Sequence, residues 1–409
     1  MEKRKNPAVR FKGFEDDWEQ RKLVNVVERI TRKNDNFEST LPLTISAQYG
    51  LIDQNEFFDK RVASKDISGY YLVRKGEFAY NKSTSTDAPW GAIKRLERYE
   101  NGVLSTLYIV FKILDEDEMN SDYLVCYYET DLWHKGIQMI AAEGARNHGL
   151  LNIAPADFFE TVLTMPKDVE EQKQIGQYFQ QLDHLITLHQ RKLEKMQLVK
   201  KSMLEKMFPK NDLKIPEIRF EGFTDDWEQR KLGELISEYK KTVDSSCTLP
   251  VLTSSKTEGV ILQEEHFGRK QQHDITGYNV LPRSYCTYRN RSDGVDFTFN
   301  VNECCDMGII SKFYPVFCGN DNDTYFLSLV LNNSDEVVHE IAYTCTGTGQ
   351  KVLSFLDLQK MSIRAPRHNE QKKISAYFKQ LDHLITLHQR KLAKMKSIKK
   401  SLLEKLFVQ

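Results

Sequence analysis

A series of mostly apolar residues, spaced alternately four and three apart, extends over positions 171–208. The series is Ile175, Phe179, Leu182, Ile186, His189, Leu193, Met196, Lys200, Met203 and Met207. A mean period of 3.5 residues is typical of a coiled-coil seam. Asp168 and Glu171 resemble a capping box at the start, and the next proline is Pro209. The pattern predicts one helix roughly 57 Å long at ~1.5 Å per residue.

The same helix pattern occurs a second time near the end of the chain. Glu370–Phe407 matches Glu171–Phe208 at 28 of 38 positions, and Gln181–Leu193 recurs unchanged as Gln380–Leu392. A helix this long with an apolar stripe needs a partner, so we predict that the two copies pair antiparallel. The predicted helix–helix seam consists of Phe179, Leu182, Ile186, Leu193, Met196, Phe378, Leu381, Ile385, Leu392 and Met395.

A shorter repeat opens each half of the chain. Pro7–Leu23 and Pro216–Leu232 are identical at 13 of 17 positions. The sequence therefore predicts two units of about 200 residues each. We divide the chain into a first globular domain (1–165), a first long helix (166–210), a second globular domain (211–365) and a second long helix (366–409).

The two globular segments differ in sequence but share a skeleton. Asp66–Tyr70 parallels Asp274–Tyr278, and Gly102–Tyr108 parallels Gly308–Tyr314. The matched pieces are short, β-branched and aromatic, with Gly and Asn between them, which is typical of strands joined by turns. The fold class expected is α+β: two tandem mixed domains separated by two long antiparallel coiled-coil helices, in a pseudo-two-fold internal repeat.

Composition narrows the class of protein without deciding its partner. Lys+Arg and Asp+Glu both number 58 in 409 residues, so net charge favours no particular partner. The seven cysteines contain no Cys-x-x-Cys, which fits reduced thiols, and no apolar run reaches the ~18 residues of a membrane span. The charged start lacks the apolar core of a signal peptide, so we expect a cytoplasmic location.

Motifs for catalysis are missing from the sequence. It has no phosphate-binding Gly-x-x-x-x-Gly-Lys-Ser/Thr and no His-Glu-x-x-His. Asp87–Trp90 is one proline short of the Asp-Pro-Pro-aromatic signature of adenine methyltransferases, and a surface turn explains it better. Glu171-Gln172-Lys173 opens a helix, and His184 and His189 are five apart, so neither set suits a nuclease or a metal. We expect neither catalytic nor metal-binding residues in this chain.

The chain resembles the specificity (S) subunits of type I restriction–modification systems over essentially its whole length. The motifs that carry the resemblance are Arg-Phe-x-Gly-Phe…Trp-Glu…Lys-Leu at each opening and Glu-Gln-x-x-Ile at each helix start (Pro166–Ile175 and Pro366–Ile374). Gly-rich segments precede the helices at Gly144–Leu150 and Gly347–Leu353. The segment from the proline to the isoleucine is one residue longer at the first helix than at the second.

The resemblance implies a non-catalytic subunit that selects a bipartite DNA sequence. Each target-recognition domain would read one half-site of double-stranded DNA, and the paired helices would set the gap. Two methyltransferase (M) subunits and restriction (R) subunits would assemble on this frame. S-adenosylmethionine, ATP and Mg²⁺ would bind only to those partners, with no cofactor on this chain.

Residues that suit DNA contact lie on loops at matched positions of the two repeats. Backbone contacts favour Lys, Arg and small polar residues, and base contacts favour Arg, Asn, Gln, Ser and Thr. The candidates are Lys82, Ser83, Lys94, Arg95, Arg98, Arg146, Asn147, His148, Arg289, Asn290, Arg291, Lys312, Gln350 and Lys351. For each residue alone, a solvated surface role is about as good an interpretation as DNA contact.

Two other functions remain open at this point. The first is a coiled-coil scaffold whose globular domains bind proteins and not DNA. The second is a self-sufficient modification enzyme, which the absent cofactor motifs disfavour. DNA retention with a steep salt dependence distinguishes the expected function from the scaffold.

Overall fold

The computed structural model describes residues 6–408 except 47–48, 61, 65, 87, 142–148, 211–212, 271–273, 295 and 347–349. The chain forms two compact units, residues 1–190 with 390–409 and residues 191–389. We call these unit 1 and unit 2. Each of the long helices is divided between the units, whereas the four-segment division predicted from the sequence, which remains a prediction, keeps each helix whole. Among the described residues, none of the helices combines the length and apolarity that crossing a bilayer requires.

The elements of the first half alternate short strands with short helices and end in a long helix. They are β1 (Glu19–Lys22), β2 (Val27–Ile30), β3 (Leu43–Ser46), β4 (Gly50–Asp53), α1 (Gln54–Phe58), β5 (Tyr71–Arg74), β6 (Phe78–Asn81), β7 (Ala92–Arg95), β8 (Asn101–Leu104), β9 (Ile109–Ile113), α2 (Ser121–Tyr128), α3 (His134–Ile140), α4 (Pro155–Phe159), β10 (Val162–Met165) and α5 (Val169–Lys206).

The second half follows a similar order, with some shorter strands and the additional pair β17 and β21 among the described residues. Its elements are β11 (Glu228–Lys231), α6 (Leu232–Leu235), β12 (Ile236–Glu238), β13 (Leu252–Ser255), β14 (Gly259–Leu262), α7 (Gln263–Phe267), β15 (Asn279–Pro282), β16 (Cys286–Thr287), β17 (Arg291–Ser292), β18 (Asn300–Val301), β19 (Met307–Ile310), β20 (Val316–Gly319), α8 (Thr324–Asn333), α9 (Asp335–Thr344), β21 (Lys351–Val352), α10 (Phe355–Lys360), β22 (Ser362–Ala365) and α11 (His368–Leu406).

Both units build the same antiparallel sheets. Unit 1 has a four-stranded sheet in the order β2-β9-β6-β7, and unit 2 has its counterpart β12-β20-β16-β18. Smaller sheets β3-β4 and β5-β8 correspond to β13-β14 and β15-β19. A Cβ on Gly102 would lie 2.4 Å from Leu43, and one on Gly308 would lie 2.5 Å from Leu252, so the matched glycines permit the same close packing. The predicted α+β repeat is confirmed.

The motif that opens each repeat is joined to the motif that starts each long helix. Arg10 donates to both carboxylate oxygens of Glu171 at 2.6 and 2.7 Å. Arg219 makes the same fork to Glu370, at 2.7 Å for both bonds. Both glutamate side chains are almost fully buried. The pairing raises the pKa of each arginine, chiefly through the hydrogen bond to its glutamate.

The glutamine after each glutamate holds the start of an earlier helix of the same unit. Gln172 donates to the carbonyl of Pro166 at 3.0 Å and accepts from the Asn120 N–H at 2.8 Å, just before α2. Gln371 accepts from the Asp323 N–H at 3.0 Å, just before α8. The repeated Glu-Gln pair is therefore structural, as the helix-opening interpretation predicted.

Each unit completes its core with the end of a long helix. In unit 1, Phe407 packs edge-on against Trp18, with ring centroids 6.2 Å apart. In unit 2, Phe208 packs edge-on against Trp227 at 5.9 Å. Both phenylalanines are buried in the main apolar cluster of their unit. The repeated ends of the two long helices therefore occupy equivalent positions in the cores of the two units.

The long helices run antiparallel within each unit. In unit 1 Asp183 of α5 accepts from Lys399 of α11 at 2.6 Å, and Lys399 also pairs with Glu129 at 2.7 Å. In unit 2 Lys200 of α5 pairs with Asp382 of α11 at 2.6 Å. The two contacts have the same register, since 183 + 399 and 200 + 382 both equal 582. The predicted antiparallel helix pair is confirmed.

The predicted seam positions face inward to different degrees. Phe179, Phe378, Leu381 and Ile385 are buried, and Leu182, Ile186, Leu193, Met196, Leu392 and Met395 are half-buried. Most positions between them on both helices are exposed. The 3.5-residue pattern therefore coincides with the inward faces of the helices.

Arg10→Met should destabilise unit 1 by about 3 kcal/mol, because it leaves the buried Glu171 carboxylate without its partner. Urea unfolding followed by tryptophan fluorescence measures the change. Lys22→Met removes an exposed ion pair to Glu160 and should change the free energy of unfolding by less than about 0.5 kcal/mol. Equal costs for the two variants would contradict a structural role for the buried pair.

Gly176→Ser should also destabilise unit 1, by about 2 kcal/mol, although the second repeat has Ser375 at this position. A Cβ on Gly176 would lie 2.7 Å from Cβ of Asp122 and 2.8 Å from the Tyr123 nitrogen. Ser375 instead donates to Asp323 at 2.6 Å. The reverse change, Ser375→Gly, should cost only about 1 kcal/mol. Thermal unfolding of both variants tests this difference.

Candidate nucleic-acid interface

In unit 1, the loop after β6 lies beside the end of the first Gly-rich segment. The Leu151 N–H donates to the Lys82 carbonyl at 2.9 Å, and the Thr84 N–H donates to the Gly149 carbonyl at 2.7 Å. Ser83 forms an isolated bridge with Leu150 between these bonds. The predicted contacts Lys82 and Ser83 therefore lie next to the residues that follow 146–148 in the chain. Arg146, Asn147 and His148 themselves lie outside the described residues.

Unit 2 has the same pairing at its matched loop. The Leu353 N–H donates to the Asn290 carbonyl at 3.0 Å, and β17 pairs with β21, so that Ser292 is opposite Lys351. The Asn290 N–H donates to the Phe313 carbonyl at 2.9 Å. The fold thus brings three separate predicted segments of unit 2 to one place.

An aromatic ring organises the cations there. The Arg291 guanidinium carbon lies 4.8 Å from the ring centroid of Phe313, and the Lys312 ammonium lies 5.8 Å from it. Among the described residues neither cation is in a salt bridge, although Lys312 helps to lower the pKa of Asp274, which is lowered chiefly by hydrogen bonds from Thr276. We call Asn290, Arg291, Lys312, Phe313 and Lys351 the Phe313 cluster. It presents three cations, two beside the ring and Lys351 on the strand paired with that of Arg291, which suits contact with phosphates.

Two further predicted residues lie beside the cluster, and Asn290 within it has a distinct environment. Arg289 and Gln350 flank the cluster and are exposed. The Asn290 side-chain oxygen is buried, and among the described residues it has no hydrogen-bond partner. Asn290 is therefore the residue of this set whose side chain has unused hydrogen-bonding capacity at the edge of the cluster.

The remaining unit 1 predictions lie away from the loop at residues 82–84. Lys94 and Arg95 pair with the start of β6, opposite Ala79 and Phe78, about 10 Å along the strand from Lys82 at ~3.3 Å per residue. Arg98 lies over the Tyr99 ring, 5.6 Å from its centroid. The structure therefore separates these cations from Lys82 and Ser83.

Arg95 is held inside its own unit. Its guanidinium donates at 2.7 Å to each of three side chains, those of Asp122, Glu97 and Ser121. Only 13% of its side chain is exposed. The geometry commits Arg95 to holding β7 against the start of α2 and does not leave it for a phosphate.

Lys82 and Lys94 are partly enclosed. The Lys82 ammonium lies 3.4 Å from the Ile153 carbonyl, and burial lowers the pKa of Lys82. Lys94 lines a cavity of about 400 Å³ together with Lys396 and Lys400 of α11. Both cations are therefore restricted in reach compared with Arg291 and Lys312.

Phe313 was missed by the sequence analysis. Its match in the first repeat is Leu107, and Lys312 is matched by Thr106. The one feature of the sequence that could have indicated Phe313 is the neighbouring Lys312, which occurs only in the second repeat. Unit 1 therefore lacks this ring with its cations at the matched position, so the two units have the same loop pairing with different chemistry.

No group of three or more His, Cys, Asp and Glu side chains that could hold a metal ion occurs within the described part of the chain. None of the seven cysteines, all of which lie in the described part of the chain, forms a disulfide. The candidate site is thus built from cations, amides and rings.

Comparisons with known proteins agree with this architecture. Residues 224–397 match the family model for the type I restriction modification DNA specificity domain. Over 412 aligned residues, the chain is 24% identical to the specificity subunit assigned to the type I restriction enzyme MjaX of Methanocaldococcus jannaschii, covering 95% of this chain and 92% of the relative.

A solved structure has the same fold. The S subunit of a type I restriction–modification system from M. genitalium aligns with a TM-score of 0.63 at 12% identity, covering 98% of this chain and 99% of that one. The family model matches one unit, and the other unit has the same sheets, the same Arg–Glu fork and the same helix repeat. The chain is therefore similar to the specificity subunits of type I restriction–modification systems, and residues 224–397 match the family's DNA specificity domain.

Proposed function

We propose that this chain selects a bipartite sequence in double-stranded DNA, with one half-site read by each globular domain. The observation that carries the proposal is the pair of matched loops, residues 82–84 with 149–151 and residues 290–292 with 351–353. Both have the same backbone pairing, and they differ in the side chains that they present. A shared frame with different reading residues is what two unlike half-sites require.

The chain itself supplies selection and not chemistry in this proposal. Adenine methylation requires a base flipped into an enzyme pocket, and the methyltransferase subunits supply that pocket. S-adenosylmethionine, ATP and Mg²⁺ bind to the methyltransferase and restriction subunits. The complex acts in the cytoplasm, where the host DNA is.

The long helices support docking of two copies of one methyltransferase subunit. A coiled-coil seam requires only its inward positions, yet the 13 residues of Gln181–Leu193 and Gln380–Leu392 are identical at exposed positions as well. Leu185 and Leu188 are each 47% exposed in α5, and Leu384 and Leu387 are each 38% exposed in α11. The same apolar face is therefore presented twice, which suits two identical partners.

Arg291→Ala with Lys312→Ala should weaken DNA binding by the methyltransferase complex by about 10-fold at physiological salt. Because two phosphate contacts are lost, the slope of log K against log salt should fall by about two. Fluorescence anisotropy over a range of salt concentrations measures both quantities. Arg283→Ala is the control, since Arg283 is also exposed in unit 2 but is paired with Asp306. Equal effects of the variant and the control would contradict an interface at the Phe313 cluster.

Leu185→Ser with Leu188→Ser should reduce the bound methyltransferase from two subunits to one per chain, because it makes one of the two apolar faces polar. The same changes at Leu384 and Leu387 should have the same effect. Mass measurement of the co-purified complex gives the stoichiometry.

The matched control is Leu198→Ser, because Leu198 is 68% exposed in α5 while its counterpart in the second repeat is already Ser397. The control should retain two methyltransferase subunits. Retention of two subunits by both double variants would show that the repeated face is not the docking surface.

A further inference from the structure

One large apolar side chain protrudes at the same place in both units. Met139 is 80% exposed near the end of α3, and Tyr343 is 90% exposed near the end of α9. They have the highest exposed fractions among the large apolar side chains of the described residues. Single exposed apolar residues are ordinary, but their coincidence at one position of a repeat is not.

The helix ends show that the two positions are equivalent. The α3 helix closes with the Ala141 N–H donating to the Ile137 carbonyl at 3.0 Å. The α9 helix closes with the Cys345 N–H donating to the Ile341 carbonyl at 2.9 Å. Ile137 and Ile341 are both buried, so they anchor corresponding turns. Met139 and Tyr343 each lie two residues after that anchor and two before the helix cap.

Tyr343 is close along the chain to the candidate interface, and Met139 is its repeat equivalent. In unit 2, Thr346 and Val352 exchange backbone hydrogen bonds of 3.2 and 2.9 Å, and Val352 lies opposite Arg291 in the β17–β21 pair. Tyr343 and Thr346 are three positions apart, a span of at most about 10 Å. In unit 1, Gly149, which pairs with Thr84, is ten positions after Met139, and residues 142–148 lie outside the described part of the chain.

The chemistry of the two positions favours DNA over a protein partner. A partner that binds both units in the same way requires the same surface twice, as the exposed leucines of α5 and α11 provide. Met139 and Tyr343 share a position and differ in shape. That difference suits two base sequences, since a stack of bases accepts either a flexible thioether chain or a flat ring between its steps.

We propose that Met139 and Tyr343 are wedges that enter the DNA at one base step in each half-site and partly unstack it. This inference rests on the proposed function. In unit 2 the cations Arg291 and Lys312 hold the phosphates while the wedge enters. In both half-sites, steps that unstack easily, such as pyrimidine–purine steps, are favoured. Each wedge therefore adds selectivity for a step that is not read by hydrogen bonds.

The test uses the complex with methyltransferase, without S-adenosylmethionine, on duplexes with 2-aminopurine at successive positions of both half-sites. The adenine that becomes methylated is left unsubstituted, because its flipping also raises fluorescence. The wild-type complex should increase the fluorescence at one step in each half-site. Tyr343→Ala should abolish the increase in one half-site and Met139→Ala in the other, each with affinity reduced by about 10-fold. Tyr343→Phe should retain the increase.

Leu213→Ala and Leu114→Ala are the controls, since these side chains are also exposed, in unit 2 and unit 1 respectively, and neither is near the ends of α9 and α3 along the chain. Both should behave as wild type. Unchanged fluorescence in the alanine variants, or no increase with bound wild-type complex, would overturn the inference and leave the proposed function standing. Reduced methyltransferase co-purification with unchanged fluorescence would also overturn it, by assigning the residues to protein docking. A wild-type complex that retains no DNA would overturn the proposed function itself.

Discussion

The rest of the structure depends on one buried ion pair, present twice. Arg10 with Glu171, and Arg219 with Glu370, tie the motif that opens each repeat to the first turn of the long helix that ends it, 161 and 151 residues later. A bidentate guanidinium–carboxylate contact fixes angle as well as distance. Because the glutamates are buried, either partner alone would be an uncompensated charge, so the two motifs are constrained together. This constraint explains why both were retained in both repeats.

The fork also determines where the variable parts of each unit are held. The glutamine beside each glutamate binds the start of α2 or α8, and the apolar ends of the long helices fill the cores beside Trp18 and Trp227. Each globular domain is thus fixed at its base by repeated residues. The segments that pair with the candidate loops are anchored in the cores by Leu151 and Leu353, while the exposed side chains on the loops differ between the units.

The shared backbone of the two units does not determine which side chains their candidate DNA-contact loops present. The loop pairing after β6 and after β16 is the same, with matched hydrogen bonds from Leu151 and Leu353. The side chains on it are not, since the ring and cation of Phe313 and Lys312 correspond to Leu107 and Thr106. At the ends of α3 and α9 a similar contrast holds between Met139 and Tyr343. The shared backbone determines where these side chains lie, and the sequence of each unit determines which side chains they are.

The sequence by itself determined the features that depend on period and repetition. The 3.5-residue pattern and the copied segments specified two units, two long helices and their antiparallel pairing, because a helix stripe and a duplicated motif are local properties of the chain. Only the tertiary structure decided which cations share a surface. Arg95 and Arg291 look alike in the sequence, but the first is enclosed by Asp122, Glu97 and Ser121 and the second lies on an exposed ring. That distinction depends on contacts between residues far apart in the chain, which no local pattern encodes.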